Sequence, residues 1–244
     1  MTVERAYVQK EDHGEFLSDA TYTFWRGCHL LGIETIPFQI KDIDTLPLTK
    51  ETMIHGGVGA VRKILERMGV PQPHIDGMPP ENLLKFYGRR MWSTTMSEIR
   101  RRYETNDHVF IKPLHRQKAF AGHVTSGLVG DLIKTAGFED GFEILASEVV
   151  RFEVEYRLLI HKREIIGCRH YRGNFRKAID FNVADAFMME FNNQPVAYSL
   201  DIGVVGNKTL VVEINDAFSL GTYGMAAVPY ARMVIDRWEE IVGL

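Results

Sequence analysis

Three oxygen-bearing side chains lie in two apolar segments near the C-terminus of the sequence. Glu213 and Asn215 are two residues apart in "LVVEIN", so a β-strand would place them on one face. The segment "GVVGNKT" predicts a hairpin that joins this strand to the one carrying Asp201. Two carboxylates and an amide oxygen would then converge, and Mg²⁺ prefers such ligands. Each residue alone is more simply a solvated polar residue, but the three together favour a metal–nucleotide site.

The length of this hairpin loop decides whether the two carboxylates meet. Residues directly opposite in an antiparallel pair share a face, so Asp201 reaches the side of Glu213 only if the loop has an odd number of residues. We therefore expect a three-residue loop over 205–207, with Asn207 in the left-handed conformation.

Two lysines are candidates for binding phosphate. Lys112 interrupts the apolar strand "VFIKPL", which is unfavourable unless its ammonium group reaches water or an anion. Lys118 follows in a glycine-containing loop whose backbone amides could cover a phosphate group. The alternative is an edge-strand lysine that extends into water, followed by a solvated loop.

A third group consists of paired charges on two consecutive predicted strands. Glu155 and Arg157 would share a face of one strand, and Arg169 lies on the next. Guanidinium groups match phosphate and carboxylate oxygens, so the arginines indicate an anionic substrate or a transferring phosphoryl group. A cross-strand lattice of Glu and Arg on a wet sheet face would explain them equally well.

Arg89 and Arg90 lie in "KFYGRRMW", which we interpret as part of a long helix through "LLKFYGRRMWSTTMSEIRRR". One of the two is expected to point inward, toward phosphate. For Arg89, a solvent-facing basic strip shared with residues 100–102 is at least as good an interpretation.

The composition limits the classes of protein that need to be considered. The 244 residues are 45% hydrophobic and 25% charged, with a net charge of −3, which is typical of a globular protein with one large core or two modest domains. The two cysteines, Cys28 and Cys168, favour neither a disulfide framework nor a zinc site, so we expect a cytoplasmic protein. No apolar run approaches a membrane span. "HGGVGAVRKIL" lacks the third glycine of a dinucleotide-binding motif, which argues against NAD.

Two regions supply the elements that would position these residues. Residues 1–78 predict a small α/β domain, with a strand near Ala6, helices over 15–31 and 58–69, and the strand "ETIPFQI" between them. A proline-rich linker follows. Residues 79–244 predict an α+β domain with a mainly antiparallel sheet, a helix over 183–191 and a closing helix over 226–242.

From about residue 80 to 225 the chain resembles the ATP-grasp superfamily, specifically a divergent clade of phages and bacteria marked by an arginine and two lysines. "VFIKPL" is similar to the family strand whose lysine contacts ATP phosphates, and "RQKAFAG" to the mobile loop that covers them. "ASEVV" is similar to the hinge that pairs with adenine. "YSLDIGV" and "LVVEINDAFSLGTYG" are similar to the metal-ligand strands and the acceptor loop. The second lysine that many relatives carry upstream of Lys112 is missing, and we expect Arg90 to substitute for it.

The resemblance implies an ATP-grasp fold and a set of site residues. It assigns the metal ligands to Asp201, Glu213 and Asn215, and catalytic charge neutralisation to Lys112, Arg157 and Arg169. The nucleotide contacts would be Lys112, Lys118, Arg90, Glu148, Val149, Val150 and Glu155.

The implied activity is that of an ATP- and Mg²⁺-dependent ligase. A substrate carboxylate, on a small molecule or a peptide, would form an acylphosphate that an amine or related nucleophile displaces, with release of ADP and phosphate. Two alternatives stay open: a nucleotide-binding module without turnover, and an ATP-dependent phosphotransfer or RNA-repair enzyme. The basic strip around residues 100–102 permits nucleic-acid binding, although the net charge argues against it.

Overall fold

The computed structural model describes residues 2–73, 77–105, 107–115, 119–126 and 128–244. The strands are β1 (Arg5–Gln9), β2 (Glu34–Phe38), β3 (Thr52–His55), β4 (Met91–Thr95), β5 (Phe110–Pro113), β6 (His123–Val124), β7 (Glu143–Ser147), β8 (Val154–His161), β9 (Glu164–Gly173), β10 (Ala197–Val205) and β11 (Lys208–Asp216). The helices are α1 (Asp19–Leu31), α2 (Val58–Arg67), α3 (Met96–Thr105), α4 (Val129–Thr135), α5 (Phe181–Glu190) and α6 (Ala227–Val242). Short 3-10 helices span Ile40–Asp42, Glu81–Phe86 and Ala217–Ser219. None of the helices in these ranges is both long and apolar enough to cross a membrane.

The N-terminal region is the expected small α/β unit. Its sheet is parallel, with strand order β2-β1-β3. Helix α1 begins at Ser18, which exchanges hydrogen bonds with Thr21 in a capping box, and ends at Gly32 in the left-handed conformation (φ 74°). The sequence interpretation missed β3, because four buried residues are too few to show a periodic pattern.

The predicted long helix through residues 83–102 is wrong. The chain forms the 3-10 helix Glu81–Phe86, then strand β4, and only then helix α3. Gly88 takes a left-handed conformation (φ 59°) that breaks the helical path, and the β-branched Thr94 and Thr95 favour a strand. Strand β4 pairs with β7, which completes an antiparallel sheet of order β4-β7-β5-β6.

The C-terminal sheet has the order β11-β10-β8-β9 and is antiparallel throughout. Helix α5 packs on one face, where Phe187 shares a core with Leu158 and Leu200. Helix α6 packs near the other face, in a core that includes Leu159 and Ala197. These two apolar layers hold the sheet rigid, which suits a scaffold for polar side chains at its exposed end.

The first hydrophobic core crosses the predicted boundary at residue 78. Helix α6 packs directly on α1, and a Cβ atom added at Gly27 would lie only 2.3 Å from the Ala227 carbonyl oxygen and 2.5 Å from Ala231 Cβ. His55 is buried in the same core, with its ring centroid 4.3 Å from that of Phe24. The C-terminal helix therefore ties the N-terminal sheet to the rest of the chain.

Candidate active site

Asp201 and Glu213 lie opposite each other on β10 and β11, but the loop between the strands is not the predicted one. Val205 pairs with Lys208, so the connection has two residues, and Gly206 (φ 61°), not Asn207, takes the left-handed conformation. Such a turn alone would pair Asp201 with residue 212. A β-bulge restores the expected face, because the pairing shifts by one residue between Ile202 and Asp201.

Arg157 holds the Asp201 carboxylate from the neighbouring strand β8. Its Nε donates to Oδ1 and its Nη2 to Oδ2, both at 2.7 Å. Both side chains are buried, with 9% and 2% of their surface exposed. Burial raises the pKa of Asp201 to about 6, against the hydrogen bonds from Arg157, and the nearby Glu213 carboxylate raises it further. A buried carboxylate in this state would be stabilised by an additional cation.

The Lys112 ammonium group reaches this end of the sheet from the other antiparallel sheet. Its Nζ lies 3.8 Å from Glu213 Oε2, while Glu213 Oε1 accepts a 3.0 Å hydrogen bond from Asn215 Nδ2. Burial lowers the pKa of Lys112, and the Glu213 carboxylate opposes that shift. The two sheets thus meet across one cation and one carboxylate.

The oxygen atoms on this face suit a hard divalent cation. Within the part of the chain that the structure describes, no group of three or more His, Cys, Asp and Glu side chains is placed to hold a metal. Asp201, Glu213 and the Asn215 amide instead form a mixed oxygen set on adjoining strands. Ser199, opposite Asn215, is fully buried and its hydroxyl has no hydrogen-bond partner. Sequence reasoning missed Ser199, although the alternation of β10 places it on the face of Asp201.

Two arginines lie directly opposite each other on β8 and β9. Arg157 pairs with Arg169, and the Arg169 Nε is buried without a hydrogen-bond partner. Like charges in such positions are destabilising, and a buried donor without an acceptor adds to the cost. An anion bound between them would relieve both effects.

A cleft of about 910 Å³ separates the two antiparallel sheets. Lys112 and Glu213 lie on its walls, and so does Glu155, which accepts hydrogen bonds from Tyr171 Oη (2.8 Å) and Arg172 Nη1 (3.0 Å). The predicted hinge residues also line it; these are Glu148, Val149 and Val150. The cleft therefore joins the charged end of the sheet to a less charged segment after β7.

Of the two neighbouring arginines, the structure brings Arg89 and not Arg90 into the cleft. The Arg90 side chain is exposed and its guanidinium carbon lies 4.8 Å from the Trp92 ring centroid. The Arg90 backbone nevertheless contacts the hinge, since its N–H donates to Glu148 Oε2 at 3.0 Å. Lys118, the other predicted phosphate contact, lies outside the described residues.

The basic strip at residues 100–102 is balanced by acidic partners. Arg101 forms an ion pair with Glu98 at 2.5 Å, and Arg100 pairs with Asp140. Arg102 also contacts Glu98, at 3.7 Å. This pairing removes the feature that favoured nucleic-acid binding.

Tyr223 covers the arginine side of the site. Its ring centroid lies 4.5 Å from the Arg157 guanidinium carbon and 5.6 Å from the Tyr171 ring centroid. Tyr223 has a positive φ of 49°, which is uncommon for a tyrosine. The loop after Asn215 therefore folds back over the charged residues, as expected for an acceptor-site loop.

A cleft lined by cations from one sheet and carboxylates from another defines a class of nucleotide-handling enzymes in which the protein clasps the phosphates between two sheets. Residues 86–233 match a family model described as an ATP-grasp domain, family 2 of its clade. The match covers more than half of the chain, and the chain belongs to this ATP-grasp family.

Solved structures show the same fold. A RimK domain protein ATP-grasp from Sphaerobacter thermophilus DSM 20745 is 14% identical, with a TM-score of 0.60 over 95% of this chain and 98% of that chain. D-alanine–D-alanine ligase from Bacillus anthracis is 12% identical, with a TM-score of 0.56 over 98% of each chain. D-cycloserine synthetase DcsG is 10% identical, with a TM-score of 0.62 over 96% of this chain and 99% of that chain. No curated protein sequence gives a significant match. The α+β, ATP-grasp fold expected from the sequence is confirmed.

Proposed function

We propose that the chain is an ATP-dependent ligase that joins a carboxylate to an amine or a related nucleophile, with release of ADP and phosphate. The observation that carries this proposal is the approach of Lys112 to Glu213 across the cleft, at 3.8 Å, beside the opposed pair Arg157 and Arg169. This arrangement offers both cations and metal-binding oxygens to a polyphosphate. Membership of the ATP-grasp family and the ligases among the similar folds support the same activity.

ATP would lie along the cleft, with its base at the hinge and its phosphates at the charged end. The hinge residues Glu148, Val149 and Val150 line the cleft beyond the end of β7, where their backbone groups are available to a base. Glu155 lies on the same wall. A similar fold, the Bacillus anthracis ligase, is known in complex with ATP, at a TM-score of 0.53, 14% identity and coverage of 98% of this chain and 99% of that chain. Lys118 stays a proposed contact to the phosphates.

Asp201, Glu213 and Asn215 would hold Mg²⁺. When bound, this ion would neutralise negative charge on the phosphate groups. The protein contributes the geometry: Arg157 fixes the orientation of the Asp201 carboxylate, and each of its oxygens keeps a second lone pair free. The Asn215 amide donates to Glu213 and orients that carboxylate in the same way.

The proposed reaction has two steps. The substrate carboxylate oxygen bonds to the γ-phosphorus of ATP while the bond to the ADP oxygen breaks, which gives an acylphosphate. The nucleophile then bonds to the acyl carbon, loses a proton to solvent or base, and displaces phosphate. Lys112, Arg157 and Arg169 would stabilise the negative charge on the transferring group, so the enzyme needs no covalent nucleophile of its own.

Substitution of Lys112 tests the placement of ATP. Lys112→Ala removes a charge-assisted contact that is typically worth about 1.5–3 kcal/mol, so ATP affinity measured by titration calorimetry should fall about ten- to a hundredfold. Lys208→Ala, at an exposed position of the hairpin, is the matched control and should bind ATP normally. Unchanged affinity in folded Lys112→Ala would refute the assignment.

Acceptor-dependent release of ADP tests turnover. A panel of amino acids, other small carboxylates and peptides, each offered with an amine, should include at least one pair that accelerates ADP release by the purified protein. ATP binding without stimulation by any pair would favour the nucleotide-binding module that lacks turnover.

A further inference from the structure

Strand β11 contains one residue more than its pairing with β10 requires. Counting back from the turn, Ile202 pairs with Val211, and a regular ladder would next pair Asp201 with Val212. Asp201 pairs with Glu213 instead, so Val212 is the extra residue of the bulge. The alternation of β11 changes face at this point. Without the bulge, Glu213 would not share the side of the sheet that Asp201 occupies.

The bulge is held by the guanidinium group of Arg89. Its Nη1 donates to the Val211 carbonyl oxygen at 2.9 Å, and its Nη2 donates to the Val212 carbonyl oxygen at 2.8 Å. A bulge disrupts the regular ladder and leaves backbone groups that need other partners. The planar fork of arginine can serve two successive carbonyls at once, whereas a lysine ammonium group offers no such fixed geometry.

The surroundings of Arg89 fix this contact. Gly88, in its left-handed conformation, lets the chain approach β11 closely, since a Cβ atom there would lie 2.6 Å from Leu210 Cδ2. Arg89 Nη1 also donates to the Tyr87 carbonyl oxygen at 3.2 Å, and its guanidinium carbon lies 5.2 Å from the Tyr87 ring centroid. Burial lowers the pKa of Arg89, while the Glu213 carboxylate opposes the shift. Arg89 therefore stands in one place against the bulge.

We propose that Arg89 is a positioning residue, which holds the bulge at Val212 and thereby keeps Glu213 beside Asp201. The role in metal binding rests on the proposed function. The role in strand register does not, since it depends only on the contacts between Arg89 and β11.

Four variants test the proposal: Arg89→Met, Arg89→Lys, a deletion of Val212, and the deletion combined with Arg89→Met. The deletion makes the ladder regular with Glu213 still opposite Asp201, so it should make the register independent of Arg89. Two readouts apply: cross-strand nuclear Overhauser effects between residues 201 and 213, and calorimetric affinity for ATP with Mg²⁺ compared with ATP in EDTA.

We expect Arg89→Met to lose the 201–213 contacts and to weaken Mg²⁺-dependent ATP binding by about tenfold or more, as is usual for groups that orient metal ligands. Binding in EDTA should fall less. Arg89→Lys should show a smaller loss. In the deletion background, Arg89→Met should change Mg²⁺-dependent affinity less than about threefold, because the register there needs no bulge.

Two results would overturn the proposal. Arg89→Met with the register intact would show that the bulge does not need this side chain. An equal loss of affinity with and without Val212 would show that Arg89 acts by direct contact with the ligand. If Arg89→Met does not fold, Arg89→Lys and the combined variant decide the question by the same contacts. If the unmodified protein binds no ATP, the proposed function fails, and the register measurement still decides the role of Arg89.

Discussion

Removal of the Arg157 guanidinium group should destabilise the protein, because Asp201 would keep a buried charge without its partner. Both side chains are at least nine-tenths buried and share two hydrogen bonds of 2.7 Å. Breaking such a pair from one side costs about 3–5 kcal/mol. We expect Arg157→Met to lose this much free energy of unfolding at pH 7, measured by urea denaturation in metal-free buffer. The total stability of a domain is about 5–15 kcal/mol, so the variant should be folded but markedly weakened.

The pH dependence of this cost provides a second test. Without Arg157 the folded-state pKa of Asp201, already raised to about 6, should rise further above its unfolded value. A group with a raised folded pKa costs nothing when both states are protonated, and its cost appears as the pH rises through the folded pKa. The loss in Arg157→Met should therefore be smaller at pH 4.5 than at pH 7.

A double-mutant cycle separates the ion pair from other effects. Arg157→Met combined with Asp201→Leu leaves no unpaired charge, so the double variant should be about 2–3 kcal/mol more stable than the sum of the single losses predicts. Arg5→Met is the matched control, because its ion pair with Glu34 is about half exposed and should contribute less than about 1 kcal/mol. Additive losses, or a loss below 1 kcal/mol in Arg157→Met, would refute the buried pair.

Three further predictions concern the metal site, a buried histidine and helix packing. Glu213→Gln should abolish acceptor-dependent ADP release yet change the free energy of unfolding by less than about 1 kcal/mol, because the carboxylate is one-third exposed; a large loss of stability would argue for a structural role instead. Burial lowers the pKa of His55 from 6.5 to about 4, so stability should fall by about 3 kcal/mol as the pH drops from 6.5 to 4. His55→Gln should flatten this slope, and exposed His13→Ala should not. Gly27→Ala should lower the melting temperature, with a cost of at least about 1–3 kcal/mol, since its Cβ would collide with a backbone oxygen. Gly59→Ala, where nothing lies within 4 Å, should be neutral or stabilising.

The sequence by itself determined the polar positions along individual strands. The two-residue period places Glu213 and Asn215 on one face of β11, and the structure confirms it through the hydrogen bond between their side chains. The apolar strand around Lys112 and the hinge after Ser147 were also predictable, because each depends on a short run of neighbouring residues. The family match then follows from the order of these segments.

Contacts between distant residues decided the rest. The helix predicted at residues 83–102 failed because Thr94 and Thr95 pair with β7, which lies about fifty residues away in the sequence. No local pattern announces the bulge at Val212, since the turn alone gives the wrong register. Arg89 and Arg90 are adjacent and identical in type, and only the packing of Gly88 against Leu210 sends the first toward β11 and leaves the second exposed. Strand register and the burial of a charged side chain depend on which surfaces meet in three dimensions.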